Sequence, residues 1–479
     1  ANITVDEEGT TASAATGGPC GIFEGRREMA EDWLRMTAAE MGRAIGAGGI
    51  DARELTEAHL AAAEAHPDGQ RVYVRLTAER ARAEAAAAAE RARLGVRRGP
   101  LDGVPISWKD LYDSAGDVTG AGSALFADRA PAAADCPPLA RATAAGMVCL
   151  GKTHMTEVAF SGLGVNPVTA TAPNVHDPDW APGGSSSGAA ASVALGLAAA
   201  GIGSDTGGSV RIPSCWQNLA GLKTSLGWIP VEGSTPLAAG FDTVGPLTRS
   251  TEDAALISAV MAGAAAPDLT GASLEGRRIL VDEAFMLDGC QEEVLAAFED
   301  GLRRLEAAGA AIVRDAVPEF AEAPALSSAL VVGEAWGEWG ELIEARGEVM
   351  FHQIRKRFEA GRAISAADYV RAQRRIEALK RDYLARVAGV DAVAAPTCPI
   401  RPPSVSRLLA EDDYYERVNL MALRNTRLAN LLQLTGLTLP LAAPGCGLML
   451  LGPPRGEWGL CRLGVAAEGE GEEEGEAEA

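Results

Sequence analysis

From residue 99 onward the chain alternates short apolar runs with stretches of helical character, and this alternation limits the folds open to it. The apolar runs are bounded by Gly and Pro and include residues 104–108, 146–151 and 201–203. Runs this short suit strands that are buried on both faces, and buried strands alternating with helices favour a parallel or mixed sheet. We therefore predict an α/β fold in which helices cover both faces of a large mixed β-sheet.

The residues before this point predict a layer of helices. Thr37 with Glu40, and Asp51 with Glu54, form capping-box patterns ahead of stretches rich in Ala and Leu. Residues 77–94 are so rich in Ala, Glu and Arg that their intrinsic propensity alone predicts a helix.

A link of small residues and Pro over 263–276 leads into a second α/β region. Strands are predicted at 278–281, 310–313 and 392–396, with a set of short closing strands within 437–463. Helices are predicted at 291–308 and 414–433, with several in succession over 327–388.

These patterns divide the chain into five parts. We expect a flexible N-terminal segment (1–27), a helical layer (28–98), a core that carries the chemistry (99–262), an α/β part that completes the sheet and the substrate pocket (263–466), and a disordered acidic tail (467–479). The tail is expected to be disordered because residues 468–479 are only Glu, Gly and Ala, which cannot bury apolar surface.

The charge of the chain argues against nucleic-acid and membrane partners. Its 479 residues include 65 acidic and 43 basic side chains, for a net charge of −22, which repels phosphate backbones and anionic headgroups. The longest apolar run, 189–203, is shorter than the ~20 residues that cross a bilayer. Residues 1–19 lack the basic and apolar regions of a secretion signal. A cytoplasmic location is the expectation.

Cysteine and histidine usage argues against a metal or another cofactor. The eight cysteines include no C-x-x-C pair and several lie in apolar surroundings, so buried reduced thiols are expected. The five histidines include no H-x-x-x-H arrangement. We expect no metal and no cofactor.

Two loops rich in Gly and Ser, at 182–188 and 203–209, flank one apolar helix and carry the clearest chemical signal. Such loops allow main-chain N–H groups to approach a ligand closely. A flexible linker would not bracket an apolar helix. The two phosphate-binding glycine motifs, G-x-x-x-x-G-K-[ST] and G-x-G-x-x-G after a strand, are both missing. The G-x-S-x-G elbow is also missing at Ser209. A Ser-His-Asp triad stays open as an alternative, with His154 or His176 as its base.

The segment from Gly183 to Ser214 resembles the signature of the amidase signature family of serine amidohydrolases, from its Gly-Gly-Ser-Ser opening to its Asp-x-Gly-Gly-Ser-x-Arg-x-Pro close. Its two serines lie 24 positions apart, as in the family. Upstream, Leu-Asp-Gly-Val-Pro-Ile-Ser-Trp-Lys-Asp at 101–110 resembles the strand with the catalytic lysine. The likeness covers residues 99–262. Ser187 stands where glycine is common, and 447–453 only loosely echoes the closing strand.

The resemblance implies the amidase signature fold and a role for each of three residues. Ser209 is the nucleophile, Ser185 relays a proton after a cis peptide bond, and Lys109 is the general base. Lys109 follows Trp108 and an apolar strand, and burial would lower its pKa enough to keep it neutral. The remaining site residues are the oxyanion-hole donors, which are the main-chain N–H groups of Thr206, Gly207, Gly208 and Ser209, and the loop supports, which are Gly183, Gly184, Ser186, Asp205 and Arg211.

Other polar residues of the region are given structural roles. Lys152 is interpreted as solvated or ion-paired, and His154 as a loop histidine whose hydrogen bonds are satisfied. The acyl pocket is expected to be built by 125–134, 161–165 and the helices of 325–358, with Trp336 and Trp339 lining an apolar cavity.

The predicted activity is hydrolysis of a small-molecule amide, anilide or carbamate (urethane) C–N bond through an acyl-serine intermediate. The alternative is the glutaminase component of a tRNA-dependent amidotransferase, against which the acidity of the chain offers no RNA-facing surface. A purely binding role would require the loss of Lys109, Ser185 or Ser209, and all three are present. A homodimer stays open as an assembly.

Overall fold

One mixed sheet runs through the part of the chain that the computed structural model describes, residues 31–477. Its strands are β1 (Tyr73–Leu76), β2 (Pro105–Lys109), β3 (Val148–Thr153), β4 (Ala200–Ser204), β5 (Ala220–Lys223), β6 (Val244–Thr248), β7 (Arg278–Asp282), β8 (Ala311–Asp315), β9 (Ala392–Pro396), β10 (Thr435–Pro440) and β11 (Gly447–Gly452). These eleven strands lie in the order β1-β3-β2-β4-β6-β5-β10-β11-β9-β7-β8. The predicted α/β class and large mixed sheet are confirmed.

Parallel and antiparallel pairs alternate in blocks across the sheet. β2 runs parallel to both β3 and β4, and β7 runs parallel to β8 and β9. The central pairs from β4 through β6, β5 and β10 to β11 and β9 are antiparallel. The parallel block β3-β2-β4 is the one that positions the candidate site.

Helices follow most of the strands. They are α1 (Ala38–Gly46), α2 (Ala52–Ala65), α3 (Gly69–Val72), α4 (Ala78–Arg93), α5 (Pro137–Ala144), α6 (Ser187–Ala194), α7 (Arg211–Trp216), α8 (Thr251–Ala262), α9 (Glu292–Ala307), α10 (Pro318–Glu322), α11 (Gly333–Arg346), α12 (His352–Glu359), α13 (Ala366–Arg386), α14 (Val405–Ala410), α15 (Asp412–Ala422), α16 (Thr426–Leu431) and α17 (Glu457–Ala477). Short 3-10 or π turns lie at Ala124–Phe126, Glu157–Ala159, Ala323–Leu326, Ser328–Val332, Gly347–Val349 and Ala360–Ala363.

Both faces of the sheet are covered, because successive residues of β9 and β11 pack into different cores. Val393 and Met449 belong to a cluster that includes residues of α13, whereas Ala394 and Leu450 pack with residues of α9 and α17. Side chains along a strand point alternately to opposite faces. The continuous burial of these strands therefore reflects a helix layer on each side.

The N-terminal helix predictions agree with the structure. Thr37 caps α1 with a complete capping box that includes Glu40. Asp51 caps α2, although its side chain accepts from the Arg53 N–H. Residues Ala78–Arg93 form α4, as their composition predicts. The predicted N-terminal segment 1–27 lies outside the described residues.

Three predictions for the C-terminal half are wrong in part. The single helix expected over 414–433 is two helices, α15 and α16, with a break between them. The closing region contains β10 and β11, but α17 takes the place of further strands. That helix also includes most of the predicted disordered tail, and the Glu468 carboxylate accepts hydrogen bonds from Thr251 at the start of α8. The composition of the tail does not reveal this helix-capping contact.

No helix within residues 31–477 combines the length and the apolar character needed to cross a bilayer. Seven cysteines are described and all seven are free, six of them buried.

Candidate active site

The ends of two neighbouring strands place the first polar groups of the site. β2 and β4 are parallel, with Ile106 opposite Ala200 and Trp108 opposite Ile202. Their carboxyl ends therefore meet at one edge of the sheet, where Lys109 ends β2 and Ser204 ends β4. Ligand sites in α/β sheets form at such edges.

Lys109 is fully buried and donates two hydrogen bonds to serines. Its Nζ lies 2.7 Å from Ser185 Oγ and 2.8 Å from Ser204 Oγ. Burial lowers the pKa of Lys109 to about 7, although the carboxylates of Asp242 and Asp205 act in the opposite direction. A lysine with a pKa near neutrality can accept a proton at physiological pH.

The loop before α6 brings Ser185 to this lysine. The Gly184–Ser185 peptide bond is cis, and Ser185 O accepts from Thr156 N–H at 3.0 Å. A Cβ on Gly184 would lie 2.5 Å from the main-chain nitrogen of Gly164, so a larger residue would force the two loops apart. Ser186 contributes as well, because its Oγ lies 3.3 Å from both the N and the O of Ser204.

The second glycine loop carries Ser209 from β4 to the start of α7. Ser209 is 4% exposed and lines a pocket together with Thr206 and Gly207. Its main-chain O accepts from Ser186 N–H at 3.3 Å, which joins the two loops. In the described residues no hydrogen bond joins the hydroxyls of Ser185 and Ser209, so of these two serines only Ser185 is bonded to Lys109.

A buried ion pair holds the Ser209 loop. The Asp205 carboxylate accepts from Arg211 Nη2 at 2.9 Å and from Arg211 Nε at 3.0 Å, and neither side chain is exposed. It also accepts from the N–H groups of Gly208 and Val210 and from Asn430 Nδ2. The adjacent Arg211 guanidinium holds the pKa of Asp205 below its usual range despite burial. Asp205 thus binds both ends of the loop.

Asp205→Asn is expected to lower the free energy of unfolding by about 3 kcal/mol, because it leaves the Arg211 charge buried without a counter-ion. Urea unfolding of the purified variant measures this change. The matched control is Glu252→Gln, which breaks the exposed pair with Arg43 and should cost under ~1 kcal/mol. Equal losses in the two variants would show that the buried pair does not stabilise the loop.

Three of the four predicted oxyanion donors are available. The N–H of Gly208 donates to Asp205 Oδ1 at 2.8 Å and therefore points into the loop. The N–H groups of Thr206, Gly207 and Ser209 make no hydrogen bond within residues 31–477. A Cβ on Gly208, whose φ is +137°, would lie 2.2 Å from Thr426 Oγ1. Gly208 is thus needed for close packing, and the prediction that it is a donor is wrong.

Lys152 and His154 make contacts that suit the structural roles predicted for them. Lys152 is fully buried, donates to the main-chain O of Tyr112 and lies 3.5 Å from Asp110 Oδ1, so it is ion-paired and not solvated. Nδ1 of His154 lies 3.3 Å from Thr169 Oγ1, and burial lowers its pKa to about 4. None of the described histidines hydrogen-bonds to the candidate serines or to Lys109.

The sequence analysis missed two polar residues of the site. Ser204 is the second acceptor for Lys109, and its position opposite the end of β2 was the available signal. Asp242 accepts from Thr206 Oγ1 and from the N–H of Leu237 at 2.9 Å, and burial raises its pKa to about 6. Asp242 fixes Thr206, one of the available oxyanion donors.

The pocket in front of Ser209, together with the open space at its mouth, amounts to about 480 Å³ that no protein atom occupies. The expected segments contribute Ser161, Ser327, Val331 and Arg357 to its lining. The prediction for 125–134 and for the two tryptophans is wrong. Trp339 packs edge-on against Phe126 and donates to the O of Pro236, and the ring of Trp336 lies under Arg362. Both tryptophans are used in packing between helices.

Comparison with known proteins identifies the family of the chain. The chain matches the profile of the family described as Amidase over residues 54–461. It is 34% identical over 450 residues to the 2-amino-5-chloromuconic acid deaminase of Comamonas testosteroni, covering 90% of this chain and 96% of the relative.

Two further relatives are similar over nearly their full lengths. A glutamyl-tRNA(Gln) amidotransferase component from Anaeromyxobacter dehalogenans (strain 2CP-C) is 32% identical over 483 residues, covering 92% of this chain and 97% of the relative. A crystal structure of an amidase superposes with a TM-score of 0.82 at 31% identity, covering 91% of this chain and 99% of the other. The chain therefore belongs to the amidase signature family and is an enzyme, a hydrolase that acts on carbon–nitrogen bonds other than peptide bonds.

Proposed function

We propose that the protein is an amidohydrolase that cleaves the C–N bond of a small-molecule amide, anilide or carbamate through an acyl-serine intermediate. The observation that carries this proposal is the 2.7 Å hydrogen bond from buried Lys109 to Ser185, beside a pocket that Ser209 lines. A serine hydroxyl needs a nearby base before it attacks a carbonyl, and a buried lysine can be that base.

In the acylation step Ser209 Oγ attacks the carbonyl carbon of the substrate. The proton of Ser209 passes to Ser185 as the proton of Ser185 passes to Lys109, so one proton reaches the lysine. Catalytic hydrogen bonds often tighten only when substrate binds. In this proposal the hydrogen bond between the Ser185 and Ser209 hydroxyls forms when the substrate is bound. The N–H groups of Thr206, Gly207 and Ser209 bind the oxyanion.

Collapse of the tetrahedral intermediate breaks the C–N bond, and the departing nitrogen takes the proton from Lys109 through Ser185. Water then attacks the acyl-serine, and its proton passes through Ser185 to Lys109. The second collapse breaks the bond to Ser209 Oγ, returns a proton to that oxygen and releases the acid, which is a carboxylic acid from an amide or anilide and a carbonate monoester from a carbamate. Each turnover thus consumes one water and restores neutral Lys109.

The second candidate is the glutaminase component of a tRNA-dependent amidotransferase, which the 32% identity to the Anaeromyxobacter dehalogenans protein favours. The two functions differ in what the chain does alone. A stand-alone amidohydrolase needs neither partner chains nor tRNA, whereas an amidotransferase component works in a complex and delivers ammonia to it.

The purified chain alone is expected to hydrolyse at least one class in a panel of alkyl amides, anilides, carbamates and glutamine, with glutamine among the poorer substrates. Ammonia or amine release measures this. The same panel after addition of EDTA should give unchanged rates, since the side chains that the structure describes include no group of three or more potential ligands that could hold a metal. Activity with glutamine alone, and only when amidotransferase partner chains are added, would favour the second candidate.

A further inference from the structure

The pocket in front of Ser209 contains two arginines and no carboxylate among its lining residues. Arg357 comes from α12 and Arg427 from α16, and both line the pocket together with Thr206 and Gly207. The remaining lining is apolar or hydroxylic. The only formal charges in the pocket are therefore positive, in a chain whose net charge is −22.

Arg357 has no ionic partner within residues 31–477. Its guanidinium lies 4.5 Å from the centroid of the Phe160 ring, and its Nε is buried without a hydrogen-bond partner. Glu157 lies in the same region, since the charges of Arg357 and Glu157 both shift the pKa of the Tyr415 hydroxyl, Arg357 downward and Glu157 upward. The Glu157 carboxyl group, however, accepts from Ser123 and from Phe351 N–H, and burial raises its pKa to about 7.

Arg427 is bound on one side only. Its Nε donates to the O of Leu423 and its Nη2 to the O of Leu420, both at 3.0 Å. Its Nη1 makes no hydrogen bond, and no carboxylate of the described residues forms an ion pair with it. Burial lowers the pKa of Arg427 to about 10, and the positive charge of Arg357 acts in the same direction. Both arginines nevertheless line the same pocket.

Two partly buried like charges without a counter-ion are destabilising, whereas the fully buried Arg211 is paired with Asp205. A guanidinium presents its donors in a fork that matches a carboxylate, and a desolvated pair of this kind is a strong and selective contact. A bound anion would supply the missing partner, and it would do so beside the nucleophile.

We propose that the substrates of this pocket are amides that carry a carboxylate, which Arg357 and Arg427 bind while the amide carbonyl lies at Ser209. This inference rests on the proposed function and narrows its substrate class to acidic amides. It also disfavours substrates whose end near the two arginines is a free amino group, because no lining carboxylate would receive a cation.

The first test compares monoamides of dicarboxylic acids, from succinamate to adipamate, with straight-chain alkyl amides of equal length. Wild-type kcat/KM for at least one acidic amide should exceed that of its neutral match by about 100-fold, the scale of a charged hydrogen-bonded contact. Arg427→Met and Arg357→Met should each lower this ratio by about 10-fold or more, and the lysine variants should restore part of it. Ratios that do not change in the methionine variants would overturn the proposal.

The matched control is Arg424→Met. Arg424 lies just before α16 and donates to the main-chain O of Asp288 and Met286, outside the pocket. Its removal should leave the ratio unchanged. Unfolding transitions of all variants, compared with wild type, identify any variant that fails to fold. If a methionine variant fails to fold, the kcat/KM ratio of the corresponding lysine variant is compared with wild type instead.

A binding test separates this inference from the proposed function. Dicarboxylates from malonate to adipate should slow the labelling of Ser209 by a neutral fluorophosphonate in wild type, and this protection should be lost in Arg427→Met. Labelling of Ser209 without protection by any dicarboxylate would overturn the carboxylate site and leave the serine mechanism standing. Absence of labelling would count against the proposed function itself.

Discussion

Ser209→Ala should lower kcat by roughly 10⁶-fold, the loss found when a serine hydrolase loses its nucleophile, while the fold stays intact. The substitution removes one oxygen from a side chain whose hydroxyl makes no hydrogen bond within residues 31–477. No buried partner is left unsatisfied, so stability should change little. Steady-state rates on the best substrate of the panel, together with a thermal unfolding curve, measure both effects.

Ser214→Ala is the matched control for this variant. Ser214 lies in α7, close in sequence to the Ser209 loop, and its Oγ is buried without a hydrogen-bond partner. The activity of Ser214→Ala should remain within a few-fold of wild type. If Ser209→Ala retained most of its activity while folded, the nucleophile would have to be another residue.

Lys109→Met should lower kcat/KM by about 10³-fold, because general-base catalysis contributes roughly that factor. The pH profile gives the sharper result. Wild-type kcat/KM should rise with pH through about 7, the pKa to which burial lowers Lys109, and level off above it. Below that pH each unit leaves about tenfold less neutral lysine. The residual activity of the variant should lack this acidic limb.

The control for the pH profile is His154→Asn. Burial lowers the pKa of His154 to about 4, so its loss should not move a limb near 7. An acidic limb that persists in Lys109→Met but disappears in His154→Asn would return the role of base to a histidine. Asp242, with a pKa raised to about 6, is distinguished by Asp242→Asn, which should weaken oxyanion binding and keep the limb of Lys109. That limb should move to lower pH, because the Asp242 carboxylate raises the pKa of Lys109.

The sequence revealed the parts of the site that depend on local backbone chemistry. The two glycine loops, the lysine at the end of β2 and the buried strand Ala392–Pro396 all lie where the residue pattern places them. These features are governed by chain conformation over a few residues, through Gly conformations, caps and apolar runs.

Features set by tertiary contact were missed. Gly208 N–H could have been an oxyanion donor on sequence grounds, but the Asp205 carboxylate takes it, and a side chain's choice of partner is decided by packing. Arg357 and Arg427 come from helices more than a hundred residues after Ser209. Nothing in the local sequence distinguishes Arg357 from Arg355 of the same helix, which is ion-paired with Glu359. Only the fold shows that Arg357 and Arg427 meet at the pocket without a carboxylate.

Covalent trapping tests the central claim most directly. The purified protein should gain the mass of one fluorophosphonate adduct, and peptide mapping should place it on Ser209. The adduct should be absent from Ser209→Ala, and it should form much more slowly in Lys109→Met, which lacks the base that activates the serine. An adduct on any other residue, or labelling that continues unchanged in Ser209→Ala, would contradict the account.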